Sequence, residues 1–362
     1  MTRDYSQTFP LTSQGGLERH RSTIDKLGWQ PFFAQQISVE ELEQTPPVRI
    51  VEVHRKTLHV LGNGIDELVP TQSEATVGDW LLLDHEHPQS SRVLDRKSLI
   101  QRRAPGKGRH IQLIAANIDT AFIVTSCNQD FNVARLERYI ALAFEAEITP
   151  VIILTKSDLA ETTRNYVEAA QAISELVPVV LLDARGDEPK SKLQDWCKPG
   201  KTVAFLGSSG VGKSTLANAL SGTLSIETQA IREDDAKGRH TTTSRQLHII
   251  ADGCVVLDTP GMRELQLTDV AAGIQDVFAD LHEVSTRCKF SDCQHESEPG
   301  CAILEALEKG EIDEARVGRW RKLMAEEAFN SASLAQRKTK DKAFGKMVRQ
   351  VKKQDKRTLL RD

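Results

Sequence analysis

The sequence predicts three consecutive folds: a small β-barrel, an α/β segment built on a parallel sheet, and a helical segment organised by a cysteine–histidine cluster. Short β-like runs broken by turn residues fill 48–108. Over 109–275 continuous apolar runs alternate with amphipathic stretches, the pattern of a parallel sheet covered by helices. From 276 to 362 Cys288, Cys293, His295 and Cys301 crowd together ahead of a basic, helical tail.

The bulk numbers agree with several folded domains. A chain of 362 residues, 39% hydrophobic and 27% charged, can bury more than one core. The net charge of −4 excludes a polycation, so contact with nucleic acid must come from local basic patches. Residues 1–16 are polar and do not read as a secretory leader. Apolar runs such as 177–182 are strand-sized and too short to cross a bilayer. Cys127, Cys197 and Cys254 are scattered in apolar surroundings, which together with the clustered thiols suits a reducing compartment, the cytoplasm.

Each element follows in order. Residues 1–47 are polar, with an aromatic knot at Trp29, Phe32 and Phe33, and read as an extension packed on the body. The runs 48–53 and 57–61 precede a Gly62-Asn63-Gly64 turn, and Gly78-Asp79 leads into Trp80-Leu81-Leu82-Leu83, followed by 91–94. Strands at this spacing suit a small barrel, of OB or SH3-like type. Its exit is basic (Arg96, Lys97, Arg102, Arg103, Lys107, Arg109), which suits either RNA contact or a solvated linker. Beyond it, strands are predicted at 121–124, 151–154, 179–182 and 202–206, and helices at 133–146 and around 161–176.

Gly207-Ser208-Ser209-Gly210-Val211-Gly212-Lys213-Ser214 fits G-x-x-x-x-G-K-[ST] and lies between the strand ending at Leu206 and a helix over 216–220. Glycines let backbone N–H groups turn inward around a phosphate, and the helix N-terminus, with Thr215, adds favourable partial charge. Lys213 is expected to span the β- and γ-phosphates, and Ser214 to ligate Mg²⁺. Downstream, Asp258-Thr259-Pro260-Gly261 follows an apolar strand. Asp258 there can hold Mg²⁺ through water, and Gly261 can sense the γ-phosphate. Gly238-Arg239-His240-Thr241-Thr242-Thr243 can present a threonine hydroxyl, Thr242, to the metal.

Base choice rests on Thr155-Lys156-Ser157-Asp158. Asp158 at a strand's C-terminal end can accept from guanine N1–H and N2–H₂, a donor pair that adenine lacks. The tetrad resembles N-K-x-D with Thr155 in the asparagine position, and Asp183-Ala184-Arg185 resembles the S-A-x loop that touches guanine O6. The base tetrad precedes the phosphate loop, the reverse of ordinary GTPases, so the usual sheet requires a circular permutation.

Together these segments resemble the RsgA (YjeQ/YloQ) family of circularly permuted GTPases that mature the small ribosomal subunit. The resemblance spans about 48–325 and includes Gly78-Asp79-Trp80, Ala116-Asn117-Ile118-Asp119 and Glu298-Pro299-Gly300-Cys301-Ala302. It implies an OB-fold contacting ribosomal RNA, a circularly permuted P-loop GTPase domain with GTP/GDP and Mg²⁺, and a zinc-binding α-helical domain. The expected function is a ribosome-stimulated GTPase of late small (30S) subunit maturation, released on hydrolysis. Its partners are that subunit and its rRNA, with no membrane and a monomeric chain. The alternatives are a nucleotide-gated RNA-binding module with incidental hydrolysis and an ATP-dependent kinase, against which Asp158 argues. The departures are Thr155, the N-terminal extension and the tail.

Met262 occupies the place where Ras-like enzymes carry a water-positioning glutamine. Slow unaided turnover is therefore expected, with His240 as the substitute that orients water, in line with the resemblance. Cys288, Cys293, His295 and Cys301 supply three thiolates and an imidazole, a closed tetrahedral set for one structural zinc. A helix is expected around Arg316, Trp320 and Leu323, and from Arg337 the tail carries a run of lysines and arginines suited to phosphate contact.

Overall fold

The computed structural model describes residues 22–72, 74–103, 111–221, 245–250, 253–258 and 269–331. The chain divides into two compact units. Among the described residues, the first holds those up to 258 together with 272–279, and the second holds 269–271 and 280–331.

The first unit opens with three short helices, Thr23–Lys26 (α1), Pro31–Ala34 (α2) and Val39–Gln44 (α3). Ser22 and Ser38 start α1 and α3 as capping boxes, closed by Asp25 and Glu41. Trp29 and Phe33 are buried, and Trp29 meets Trp80 edge-on at 4.7 Å between ring centroids.

The β-rich segment then runs through Pro47–Val53 (β1), Thr57–Gly62 (β2), Ile65–Pro70 (β3), Trp80–Leu82 (β4), Arg92–Val93 (β5) and Leu99–Arg103 (β6). β1, β2 and β3 form an antiparallel meander, while β1 also pairs with β4, and β4 with β5. Burial alternates residue by residue along β2, the period of a strand with one face on a core. That core gathers Val48, Ile50, Leu58, Val60, Leu81 and Leu83. Ile111–Ala116 (β7) falls where the sequence pattern places the start of the α/β segment, yet it pairs antiparallel with β6 in a separate sheet.

The remaining strands are Thr120–Ser126 (β8), Thr149–Thr155 (β9), Val179–Leu181 (β10), Thr202–Leu206 (β11), Arg245–Ile249 (β12) and Val255–Asp258 (β13). Their order across the sheet is β10-β9-β8-β11-β13-β12, parallel except for β12. β8 and β11 are buried along their whole length, as strands covered on both faces must be. The helices here are Val133–Glu145 (α4), Arg164–Gln171 (α5), Glu188–Lys192 (α6), Lys213–Ser221 (α7) and Ala271–Val277 (α8). The helix expected around 161–176 is shorter, because the chain turns after Gln171 and Ser174 Oγ accepts from Leu176 N at 3.2 Å.

The β-rich and α/β segments meet at two places. Glu52 and Val53 of β1 pair with Gln246 and Arg245 of β12, extending one sheet through both. Arg49, 1% exposed, donates from Nε to Gly78 O at 3.2 Å, from Nη2 to Asn117 O at 3.1 Å and from Nη1 to Leu27 O. A methyl group on Gly78 would lie 2.1 Å from Ala116 O, so Gly78-Asp79-Trp80 and Ala116-Asn117-Ile118-Asp119 interlock backbone to backbone.

The second unit contains Ala302–Glu308 (α10), Glu314–Ser331 (α11) and nearly all of Ala279–Ser285 (α9). It buries Leu281, Ile303, Val317, Trp320 and Leu323. No helix among the described residues is long and apolar enough to cross a membrane.

Candidate nucleotide and metal sites

The phosphate loop joins the buried strand β11 to α7. Gly207 has φ +141°, and a methyl group there would lie 2.2 Å from Val124 O, so only glycine lets the loop leave β11 against β8. Gly210 and Gly212 also have positive φ, at +77° and +98°. Lys213 Nζ donates to Gly207 O at 2.8 Å and to Ser208 O, which places the ammonium across the first turn of the loop.

β9 ends at Thr155, wholly buried, whose hydroxyl donates to Val211 O at 2.6 Å with Thr125 O at 3.1 Å. Lys156 then takes a left-handed conformation (φ 57°, ψ 34°) that swings the chain into a short 3₁₀ turn over Ser157–Leu159. After β10, Asp183 Oδ1 accepts from Arg185 N at 2.9 Å, and Glu188 Oε2 accepts from Asp183 N at 2.9 Å. Hydrogen bonds from that amide and from Lys192 hold the Glu188 carboxyl below its ordinary pKa.

These loops share one cavity of about 330 Å³. Thr155, Lys156 and Asp158 line it from one loop, Asp183, Ala184 and Arg185 from another. Ser209, Gly210, Gly212, Lys213, Ser214 and Thr215 line it from the phosphate loop and α7. Ser157, Gly207, Ser208 and Val211 lie in the same loops without lining it. The backbone of Asp258 ends β13, the strand beside β11. His240, Thr242 and Gly261 lie outside the described residues.

In the second unit, Cys288, Cys293, His295 and Cys301 bring their ligand atoms within 4.8 Å of one another. The Cys288 and Cys301 sulfurs are 4.0 Å apart, and His295 Nδ1 lies 3.5 Å and 3.4 Å from them. A tetrahedral ion with Zn–S about 2.3 Å and Zn–N about 2.0–2.1 Å requires S–S edges of about 3.8 Å and S–N edges of about 3.5 Å. The donor set fits such an ion. His295 is in a left-handed conformation (φ 60°), its ring stacks on Trp320 at 5.2 Å, and its carbonyl accepts from Arg321. Burial and the Arg321 guanidinium lower the His295 pKa, favouring the neutral ring that a metal needs.

The family model for the RsgA GTPase matches residues 93–268. The small ribosomal subunit biogenesis GTPase RsgA 2 of Vibrio vulnificus is 45% identical over 91% of this chain and 95% of its own length. This chain belongs to the RsgA family of GTPases. Among solved structures, YjeQ from Thermotoga maritima has a TM-score of 0.57 at 28% identity, over 77% of this chain and 97% of its own. YloQ, described as a circularly permuted GTPase, has a TM-score of 0.55 at 25% identity, covering 82% of this chain and 100% of its own. The permutation is visible in the strand order: the phosphate-loop strand β11 is central although β8, β9 and β10 precede it in the chain.

Sequence reasoning missed two residues that hold the loops of this cavity. Glu188, on α6, anchors the Asp183 loop from five residues away. Arg135, on α4, donates to Ser208 Oγ of the phosphate loop across 73 positions of sequence. A capping residue at Asn132 marks the helix that carries Arg135, but nothing in its spacing points to the loop.

Proposed function

We propose that this chain is a GTPase of small ribosomal subunit biogenesis, a slow enzyme alone that hydrolyses GTP when docked on the subunit and its rRNA. The observation that carries the reading is the single cavity in which the phosphate loop faces the Thr155–Asp158 and Asp183–Arg185 loops. The name of the Vibrio vulnificus relative supplies the subunit.

In this reading Asp158 accepts from guanine N1–H and N2–H₂, and the Lys156 stem lies along the base. The Ala184 and Arg185 backbone meets O6. N–H groups of Ser209 to Thr215 surround the β-phosphate, and Lys213, seated on the carbonyls of Gly207 and Ser208, turns its remaining donor to the β- and γ-phosphates. Ser214, Thr242 and Asp258 would hold magnesium, which would supply charge neutralisation at the phosphates. His240 orients the attacking water, and Gly261 senses the γ-phosphate. The strands β1 to β5 are read as an OB barrel on rRNA, consistent with the meander and the double pairing of β1. Cys288, Cys293, His295 and Cys301 would hold one structural zinc ion, and the protein is read as a monomer acting in the cytoplasm.

The test is the GTPase rate against added small subunits. Partner-supplied groups raise such rates by ~10³–10⁵, and a rise of that kind is expected. A rate that does not change with subunits marks a nucleotide-gated RNA-binding module instead. His240→Ala should leave GTP affinity intact and sharply lower the stimulated rate; an unaltered stimulated rate removes that role from His240.

A further inference from the structure

The phosphate loop is held by a cation that no sequence motif contains. Arg135 Nη1 donates to Ser208 Oγ and also pairs with Asp130 Oδ1 at 3.0 Å. Arg135 sits one turn into α4, where its own N–H caps onto Asn132 Oδ1 at 3.0 Å, so the side chain starts from a fixed backbone. Asp130 is fixed as well, since its N–H donates to Asn128 Oδ1 at 2.9 Å. The other oxygen of Asp130, Oδ2, is buried with no hydrogen-bond partner among the described residues. With the two side chains 38% and 36% exposed, this ion pair adds little stability; what it contributes is the direction of the guanidinium.

The position of Ser208 gives this contact its meaning. The same residue's carbonyl accepts from Lys213 Nζ, the ammonium that spans the β- and γ-phosphates in this loop type. Ser208 thus touches Arg135 through its side chain and Lys213 through its backbone. Gly207 pins the loop on the strand side, and Thr155 pins Val211 on the helix side. Between those two anchors Ser209 and Gly210 are exposed, and Ser208 carries the remaining side-chain tether.

We propose that Arg135 is a positioning residue for GTP hydrolysis. Through Ser208 it holds the start of the phosphate loop, and with it Lys213, in the geometry that meets the γ-phosphate, while Asp130 fixes the guanidinium. A tether at that end of the loop affects the transferred phosphoryl group more than the β-phosphate, which the helix end of the loop holds. Its effect should therefore appear in kcat for GTP and barely in affinity for GDP.

The proposal rests on the loop binding and hydrolysing GTP, and wild-type turnover measured alongside checks that reading separately. Arg135→Ala, Ser208→Ala and the double variant are compared in the full-length protein by single-turnover hydrolysis and by titration with fluorescent GDP. Each single variant should lose about tenfold in the chemical rate, close to 1.4 kcal/mol of barrier. GDP affinity should stay within about twofold, and the double variant should lose no more than either single. Three outcomes overturn the proposal: a rate for Arg135→Ala within about twofold of wild type, losses that multiply in the double variant, or a GDP affinity that falls as far as the rate.

Discussion

The phosphate loop and the cysteine–histidine loop are both irregular backbone carrying ligand groups, yet they are held in opposite ways. The first is stretched between a fully buried strand and a nine-residue helix, and is fixed at Gly207 and Val211 by neighbouring strands. The second has no helix or strand from 286 to 301. Its ties are local: Gln294 N and Glu296 N each donate to Glu298 at 2.9 Å, and Lys289 N donates to Gly300 O at 3.0 Å. One site is shaped by a hydrophobic core before any ligand arrives, whereas the proposed zinc ion would give the other the centre that its local ties do not supply.

The strongest way to break this comparison is to remove the metal ligand. Structural zinc supplies about 10–16 kcal/mol in small domains, as much as a whole domain's stability. Cys301→Ser, at a site only 4% exposed, should abolish zinc binding and open 280–331 to protease. GDP affinity should stay within about twofold, since the nucleotide cavity is lined by residues of the other unit. A protease-resistant second unit in a zinc-free variant would show that its apolar residues suffice.

The next effect probes the preshaped loop without any nucleotide. Gly207→Ala adds a methyl group 2.2 Å from a backbone carbonyl at φ +141°. Overpacking and left-handed strain together should cost about 3–5 kcal/mol in urea unfolding of the ligand-free protein. Gly210→Ala, at φ +77° with nothing within 4 Å, should cost only about 1–2 kcal/mol. Equal costs would mean that the loop is not set by its contact with β8.

The two sites were legible in sequence because each is written in a few neighbouring residues. The phosphate loop, the Thr155–Asp158 tetrad and the four cysteine and histidine donors have local spacing that suggests chemistry, and the topology had only to bring the nucleotide loops to one edge of the sheet. What stayed hidden depends on long-range partners. The pairing of β7 with β6 lies in a run, Ile111–Ala116, as apolar as any α/β strand. The Arg49–Gly78–Asn117 junction joins residues up to 68 positions apart, and Glu188 reads as an ordinary helix-start carboxylate. Thr155 illustrates both sides: its motif pointed to a loop that lines the cavity, while its hydroxyl's role in holding Val211 needed coordinates.

The smallest effect sharpens how far the preshaping extends. Asp119 lies just before β8, where its Oδ2 accepts from Thr202 N at 2.9 Å and its Oδ1 from Lys201 Nζ at 3.0 Å. It thereby ties the end of β11 opposite the phosphate loop. Burial alone would raise this carboxyl's pKa, but the Thr202 amide and the Lys201 and Lys97 ammoniums outweigh it and hold the value below the ordinary range. A depressed folded-state pKa contributes stability above the unfolded value of about 3.9, lost as pH falls through the folded one. Asp119→Asn should therefore cost about 1.5 kcal/mol at neutral pH. That difference should shrink only in acid, as the wild-type carboxylate takes up its proton. GDP affinity at neutral pH should not change, because β11 is held along its length by β8 and β13. A loss of GDP affinity matching the loss of stability would mean that the loop's shape depends on this distant tie and not on the sheet beneath it.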